Sequence, residues 1–247
     1  NTDPHDYEPR PDDVRATAEA DVVVVSGDGL DHWMEDEVVE QSGTKATVVD
    51  AGERVPFKVA GEEGEQYDPH WWHDPRNMRA AVKTIANALA EADADNADAY
   101  RERAKAYDAE VARLDARIAA CIDTIPRGER KLVTDHDAFG YFARRYGLSV
   151  VGAVIPSQTT QAQASAGDVA ALVRTIRRER VRAVFPEESV NARLAKAVAR
   201  QTGATSDLKL YGDTLGPKGS RGATYLTMEQ ANADAIVRGL TGGERGC

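Results

Sequence analysis

Residues 97–125, ADAYRERAKAYDAEVARLDARIAACIDTI, form the most regular stretch of the chain. Apolar residues recur there at alternating intervals of four and three, with charged residues between them: Tyr100, Ala104, Tyr107, Val111, Leu114, Ile118, Cys121 and Ile125. This spacing predicts one amphipathic α-helix, roughly 40 Å long, that ends at Pro126 and Gly128. Such a helix is well suited to joining two lobes, although its periodicity is equally compatible with an ordinary long surface helix.

On both sides of this helix, short apolar runs alternate with helical patterns, which indicates an α/β fold with mainly parallel sheets. Strands are predicted at 22–25, 46–49, 132–133, 149–154, 183–185 and 208–211, and helices at 30–39, 75–90, 139–146, 165–180, 191–202 and 228–240. We therefore predict an N-terminal lobe at 1–94, a linking helix at 95–126 and a C-terminal lobe at 127–247.

Composition excludes several classes of protein. The 247 residues carry a formal net charge of −10, which argues against nucleic-acid binding and suits a protein that attracts cations. No apolar run approaches the ~20 residues that a membrane-spanning helix needs. The chain opens on a motif already under way, which is compatible with removal of a signal peptide.

The two cysteines, Cys121 and Cys247, have no C-x-x-C spacing. They therefore predict neither a zinc knuckle nor a disulfide framework. We expect Cys121 to be buried on the apolar side of the long helix, whereas the pattern leaves the role of Cys247 open.

Three of the five histidines lie in irregular segments beside acidic residues. The segments are DPHDYEP at 3–9, DPHWWHDP at 68–75 and TDHDAFG at 134–140. Imidazole is the usual ligand of first-row transition metals, and a nearby carboxylate can fix its tautomer. Taken singly, each histidine is more typical of a loop or a surface than of a metal site, and the segments are too far apart for spacing to define one.

Further motifs change this interpretation: SGDGLDHWME at 26–35, KLVTDHDAFGYFARRYGL at 131–148, VFPEESVNARLAK at 184–196 and LYGDTLGPKG at 210–219. In this order, and over nearly the whole chain, they resemble the zinc/manganese-type solute-binding proteins of bacterial ABC transporters. The resemblance implies two α/β lobes joined by one long rigid helix, with a metal site in the cleft between them. It also implies an extracytoplasmic protein that delivers a divalent transition metal to an ABC transporter permease.

Carried over residue by residue, the resemblance implies four metal ligands and no catalytic residues: His5, His70, His136 and Asp213. Independently of it, His136 follows the predicted strand 132–133 and Asp213 follows the predicted strand 208–211. Both side chains are therefore expected at the carboxyl ends of strands, where open α/β sheets bind their ligands.

Three other residues are assigned lesser roles. Glu187 matches a carboxylate that the family keeps near the site, so we expect it to support a ligand, with replacement of Asp213 as the alternative. His73 stands where the family usually has an apolar residue, and we interpret it as packing or loop. His32 lies at a predicted helix start and is expected to be solvated.

Three imidazoles and one carboxylate form a tetrahedral set that suits Zn²⁺. Manganese-preferring members of the family place a carboxylate where His136 stands, so zinc is expected and manganese is the alternative. The family's optional histidine-rich loop is missing, since residues 52–67 contain no histidine.

Two rival functions remain open. A three-histidine zinc site with a bound water would suit a metallohydrolase, although H-E-x-x-H and G-x-S-x-G motifs are missing. A metal-dependent adhesin is the other possibility.

The family normally has a β-α unit before the DPHDYEP motif, so the lobe at 1–94 is expected to lack it. We expect a monomer, and the resemblance leaves open whether the full-length protein carries a lipid anchor.

Overall fold

The computed structural model describes residues 2–62 and 64–247. Their contacts divide the chain into two units, Pro4–Arg113 and a second formed mainly by Leu114–Cys247. An α/β fold with short parallel sheets and a long helix confirms the predicted fold class. The lobe boundaries at 94 and 126 stay a prediction.

The first unit is built on two parallel strands, β1 (Val22–Val25) and β2 (Thr47–Asp50), with Val23 opposite Val48. Its helices are α1 (Pro11–Ala18), a π-helical segment Met34–Val39 that continues into α2 (Glu40–Ser42), and α3 (Pro75–Ala92). Short 3₁₀ turns occupy Pro4–Asp6, Trp71–His73 and Ala94–Asn96.

The predicted helix 30–39 begins later than the sequence suggested. Gly27, Asp28 and Gly29 all have positive φ angles, which an α-helix does not accommodate. The Asp31 carboxylate accepts the backbone N–H groups of Ser26 and Gly27 and so stabilises a turn at this point. Helical structure starts at His32, two residues after the predicted start, and becomes π-helical at Met34.

The start of α3 is as predicted. Asp74 has extended backbone angles, as expected before a proline. Its side chain accepts the N–H of Arg76, and Pro75 occupies the first helical position. This cap ends the turn Trp71–His73 and therefore limits the freedom of the segment that carries His70.

The long helix, α4, spans Ala97–Ile122, three residues fewer than the predicted 97–125. The apolar stripe is fully buried from Val111 onward, whereas Tyr100, Ala104 and Tyr107 are half-buried. The division between the two units falls within this helix, after Arg113. No helix in the described part of the chain is long and apolar enough to cross a membrane.

The second unit contains the parallel strands β3 (Lys131–Thr134) and β4 (Ser149–Ala153). Its helices are α5 (Gly140–Tyr146), α6 (Ala166–Glu179), α7 (Arg193–Thr202) and α8 (Tyr225–Leu240), and a 3₁₀ turn occupies Arg127–Glu129. The expected Ser165–Asp168 capping box begins α6. Aliphatic side chains from β3, α6 and α7 form a buried core, including Val133, Ile176 and Val198.

The predicted strands 183–185 and 208–211 do not form continuous strands. They run parallel to their neighbours but pair through single bridges, Thr134 with Phe185 and Glu187 with Leu210. Pro186 has no N–H to donate, which interrupts the ladder between the Ala183–Thr205 bridge and the Glu187–Leu210 bridge. The two segments nevertheless extend the layer of β3 in the expected direction.

A disulfide joins Cys121 to Cys247, with the Cα atoms 5.4 Å apart. The spacing of the cysteines gave no sign of this bond and left the role of Cys247 open, whereas Cys121 is buried as predicted. The chain turns back after α8, where the Gly243 N–H donates to the Arg238 carbonyl. The Cys247 N–H then donates to Asp234 on α8, which holds the C-terminus beside the end of α4.

Candidate metal centre

In the first unit, His70 is oriented by the residue two positions before it. The Asp68 Oδ1 atom lies 2.7 Å from His70 Nδ1 and also accepts the His70 backbone N–H at 2.9 Å. Both side chains are buried. A carboxylate on Nδ1 places the ring proton there and leaves the Nε2 lone pair available for a metal ion.

His5 lies beside His70 in the same unit, and their Nε2 atoms are 3.4 Å apart. The turn that carries His5 is anchored by Trp33, whose indole N–H donates to the Pro4 carbonyl. The Tyr7 ring packs against the same indole, with ring centroids 4.6 Å apart. We call His5 and His70 the histidine pair.

In the second unit, three acidic or imidazole side chains follow neighbouring parallel segments. His136 comes two residues after β3, Glu187 forms the bridge to Leu210, and Asp213 comes three residues after Leu210. The carboxyl ends of parallel segments meet at one edge of a layer, which brings these side chains together.

His136 repeats the arrangement of His70. The Glu187 Oε1 atom lies 2.8 Å from His136 Nδ1 and accepts the His136 backbone N–H at 3.1 Å. Glu187 is in turn held by Asp135, whose Oδ2 accepts the Glu187 backbone N–H at 3.2 Å. Burial, and then the Glu187 carboxylate, raise the pKa of Asp135 to about 6.

His136 Nε2 points to Asp213, with 3.4 Å between Nε2 and Oδ2 and both side chains buried. We call these two residues the His–Asp pair. Burial by itself lowers the pKa of His136, but the carboxylates of Glu187 and Asp213 outweigh it and raise that pKa well above its ordinary value. The imidazole is therefore a favourable place for positive charge, either a proton or a metal ion.

The donor atoms of each pair are separated as zinc ligands are. Two ligand atoms at ~2.0–2.1 Å from a tetrahedral zinc ion lie roughly 3.3–3.4 Å apart. The Nε2–Nε2 distance in the histidine pair and the Nε2–Oδ2 distance in the His–Asp pair are both 3.4 Å. Each unit thus presents two donor atoms at the spacing of one tetrahedral edge.

Known proteins match this chain over nearly its full length. The sequence profile of the periplasmic zinc-uptake complex component A family matches residues 1–239. The chain belongs to this family. It is a substrate-binding protein of a metal ABC transporter, and proteins of this kind act outside the cytoplasm.

Individual family members differ in the metal for which they are named. The chain is 32% identical over 239 residues to the manganese-binding lipoprotein MntA of Halalkalibacterium halodurans, covering 97% of this chain and 78% of that protein. It is 31% identical over 246 residues to the iron ABC transporter substrate-binding lipoprotein MtsA of Streptococcus pyogenes, covering 96% and 78%. Its fold matches the periplasmic zinc-binding protein TroA of Treponema pallidum with a TM-score of 0.89 and 30% identity, covering 97% and 87%.

The two remaining histidines lie where the sequence predicted them, His73 in a packed turn and His32 exposed to solvent. His73 is fully buried in the turn Trp71–His73, with its ring centroid 5.6 Å from that of Trp72. His32 keeps 59% of its side chain exposed, 3.5 Å from Glu65. The sequence suggested in general that a carboxylate near each histidine could fix its tautomer, but it singled out neither Asp68 nor Asp135. The Asp-x-His spacing at 68–70 was a usable signal for the first.

Gly212 allows the close approach of the segments that carry the candidate ligands in the second unit. A Cβ atom at this position would overlap the Glu187 carboxylate and lie 3.6 Å from the His136 ring. Glu187 fixes the orientation of His136, so a side chain at position 212 should disturb both the imidazole and the neighbouring Asp213.

We therefore expect Gly212→Ala to weaken metal binding by roughly 10–100-fold, the usual effect of disturbing groups around metal ligands. The measurement is a zinc titration against a competing chelator. Gly128→Ala is the matched control in the same unit, because a Cβ atom there meets open space. Equal affinities for the two variants would contradict the prediction.

Proposed function

We propose that the protein captures Zn²⁺ as transport cargo and delivers it to the permease of an ABC importer. In this proposal one ion is bound jointly by the histidine pair and the His–Asp pair: His5, His70, His136 and Asp213. The observation that supports it best is the separation of 3.4 Å within each pair, which matches one edge of a zinc tetrahedron.

The donor chemistry favours zinc over manganese. Three imidazole nitrogens and one carboxylate oxygen are a borderline-soft set, whereas manganese prefers oxygen ligands. The carboxylates of Asp68 and Glu187 bind the Nδ1 atoms of their histidines, so in this proposal they support ligands and do not replace them. Because relatives are named for manganese and for iron, the choice of metal is tested below by direct competition.

The same donor set favours binding over catalysis. A catalytic zinc ion keeps one position for water, while four protein ligands fill the tetrahedron. The protein should therefore hold zinc without hydrolysing simple esters or phosphate esters. Metal-dependent hydrolysis would instead support a metallohydrolase with a three-histidine site.

The proposal is tested by elemental analysis of protein purified without added metal, followed by competition between Zn²⁺ and Mn²⁺ for the stripped protein. We expect one zinc ion per chain and preference for zinc in the competition. Tighter binding of manganese would contradict the assignment of the metal. A stoichiometry of two or zero would contradict the single shared site.

Zinc affinity should fall as the pH falls, because each imidazole binds the ion only as a neutral base. Below an ordinary histidine pKa of ~6.5, three competing protons could lower the affinity by up to roughly three decades per pH unit. Since Glu187 and Asp213 raise the pKa of His136, that residue should still release a proton on zinc binding at higher pH.

Zinc titrations at about pH 7.5 and about pH 5.5 bracket the ordinary histidine pKa and measure the fall. Calorimetry in two buffers of different ionisation enthalpy counts the protons released at the higher pH. Equal affinity at the two pH values would rule out three imidazole ligands.

A further inference from the structure

Asn232, a buried residue of α8, binds the backbone just before Asp213. Its Oδ1 atom accepts the Tyr211 N–H at 2.8 Å, and its Nδ2 atom donates to the Tyr211 carbonyl at 2.9 Å. The side chain is fully buried. One amide thus satisfies both the donor and the acceptor of a single residue, as a neighbouring β-strand would.

The position of Tyr211 determines where the ligand loop begins. Only Gly212 separates it from Asp213, and Gly212 packs directly against the Glu187 carboxylate. After Leu210 the chain leaves the parallel layer and, among the residues that the structure describes, forms no further bridge before α8. The Asn232 amide therefore takes over the backbone hydrogen bonds at the point where the layer stops.

A second buried asparagine has the same arrangement in the first unit. The Asn77 Oδ1 atom, on α3, accepts the Phe57 N–H at 3.0 Å, and its Nδ2 atom donates to the Phe57 carbonyl at 2.8 Å. The Nδ2 atom also donates to the Trp71 carbonyl at 3.3 Å. Trp71 directly follows His70, so this amide holds the backbone on the C-terminal side of a proposed ligand.

We propose that Asn232 and Asn77 are positioning residues for metal capture, an inference that rests on the proposed function. Each amide fixes the backbone of one ligand-bearing segment from a helix, so that Asp213 and His70 keep their positions before the ion arrives. A ligand held in place loses little conformational freedom on binding, and this preorganisation raises affinity.

The amide is required at both positions. Replacing Asn232 with leucine removes the amide's hydrogen bonds to the Tyr211 N–H and carbonyl, which favours a local rearrangement of the loop. Replacing it with aspartate keeps an acceptor for the N–H but sets a carboxylate oxygen against the Tyr211 carbonyl. Loss of positioning should therefore be large in Asn232→Leu and smaller in Asn232→Asp.

The test compares zinc affinity and the visible spectrum of the Co²⁺-substituted protein in wild type, Asn232→Leu and Asn232→Asp. We expect Asn232→Leu to lose roughly 10–100-fold in zinc affinity. Its Co²⁺ spectrum should lose the intense bands of tetrahedral coordination, and Asn232→Asp should fall between it and the wild type. Asn77→Leu should show the same loss of zinc affinity and of the tetrahedral Co²⁺ bands, because it releases the backbone next to His70.

Ile236→Val and Ile236→Ala are the controls, because Ile236 is fully buried on the same helix and these two variants cover a range of stability loss. They should lower Tm while leaving zinc affinity and the Co²⁺ spectrum unchanged. If Asn232→Leu lowers Tm with wild-type affinity and spectrum, the positioning role is wrong. Should the leucine variants not fold, Asn232→Asp and Asn77→Asp decide the question by the same criterion.

Zinc binding by the wild-type protein separates this inference from the one on which it rests. A wild type that binds no zinc contradicts the proposed function. A wild type that binds one ion, with full affinity retained in the asparagine variants, contradicts the positioning role alone.

Discussion

Replacing His136 with alanine should weaken zinc binding by roughly a hundred- to a thousand-fold. Four-ligand zinc sites bind with apparent free energies of about 10–16 kcal/mol. Removal of one ligand of four should therefore cost about 2.5–4 kcal/mol, and each 1.4 kcal/mol is worth about tenfold in affinity. The substitution also removes the imidazole between Glu187 and Asp213. The two buried carboxylates then repel each other without a positive group between them.

Competition titration and metal content after dialysis measure this effect. His32→Ala is the matched control, since His32 is exposed and lies next to Glu65, outside both pairs. It should retain the zinc affinity of the wild type. Tight zinc binding by His136→Ala would show that the His–Asp pair does not bind the ion.

Removing the disulfide should produce the largest loss of stability. Cys121 and Cys247 are 126 residues apart in sequence, and the chain-entropy treatment assigns roughly 4–5 kcal/mol to a crosslink that closes a loop of that order. In the reduced protein, the turn after α8 is held to the end of α4 by weaker contacts, such as that between Arg245 and the Thr124 carbonyl.

Denaturant unfolding of oxidised protein, reduced protein and the Cys121→Ala/Cys247→Ala double variant tests this expectation. The last two should unfold at the same, lower midpoint, and reductant should not affect the double variant. A double variant that unfolds at the midpoint of the oxidised wild type would mean that the crosslink adds nothing. Zinc stoichiometry should be unaffected, since neither cysteine belongs to a ligand pair.

The two units orient their histidines in the same manner. In each, one carboxylate oxygen binds both the Nδ1 atom and the backbone N–H of a histidine, Asp68 for His70 and Glu187 for His136. A carboxylate with two hydrogen bonds fixes the tautomer and the ring direction together. The Nδ1 atom of each ring is therefore held by its carboxylate, which leaves Nε2 as the ring atom that can bind a metal ion once it is deprotonated.

Local patterns in the sequence predicted most of the regular structure. The apolar stripe of α4, the Asp74–Pro75 start of α3 and the Ser165–Asp168 capping box all rest on interactions within a few residues, which sequence spacing reports directly. The same reasoning overestimated the strands at 183–185 and 208–211, because pairing depends on neighbours far away in the chain and Pro186 interrupts it.

The sequence by itself determined the α/β class, the long helix and, through its motifs, four candidate ligands for a metal ion. Only the tertiary structure revealed the bond between Cys121 and Cys247, the carboxylate partners of His70 and His136, and the amide contacts of Asn77 and Asn232. Spacing along a chain reports period and local capping, whereas most of these contacts join residues 20 to 126 positions apart. The exceptions are Asp68 with His70 and Asn77 with Trp71. Their short spacing leaves open where the side chains point until the fold sets the backbone.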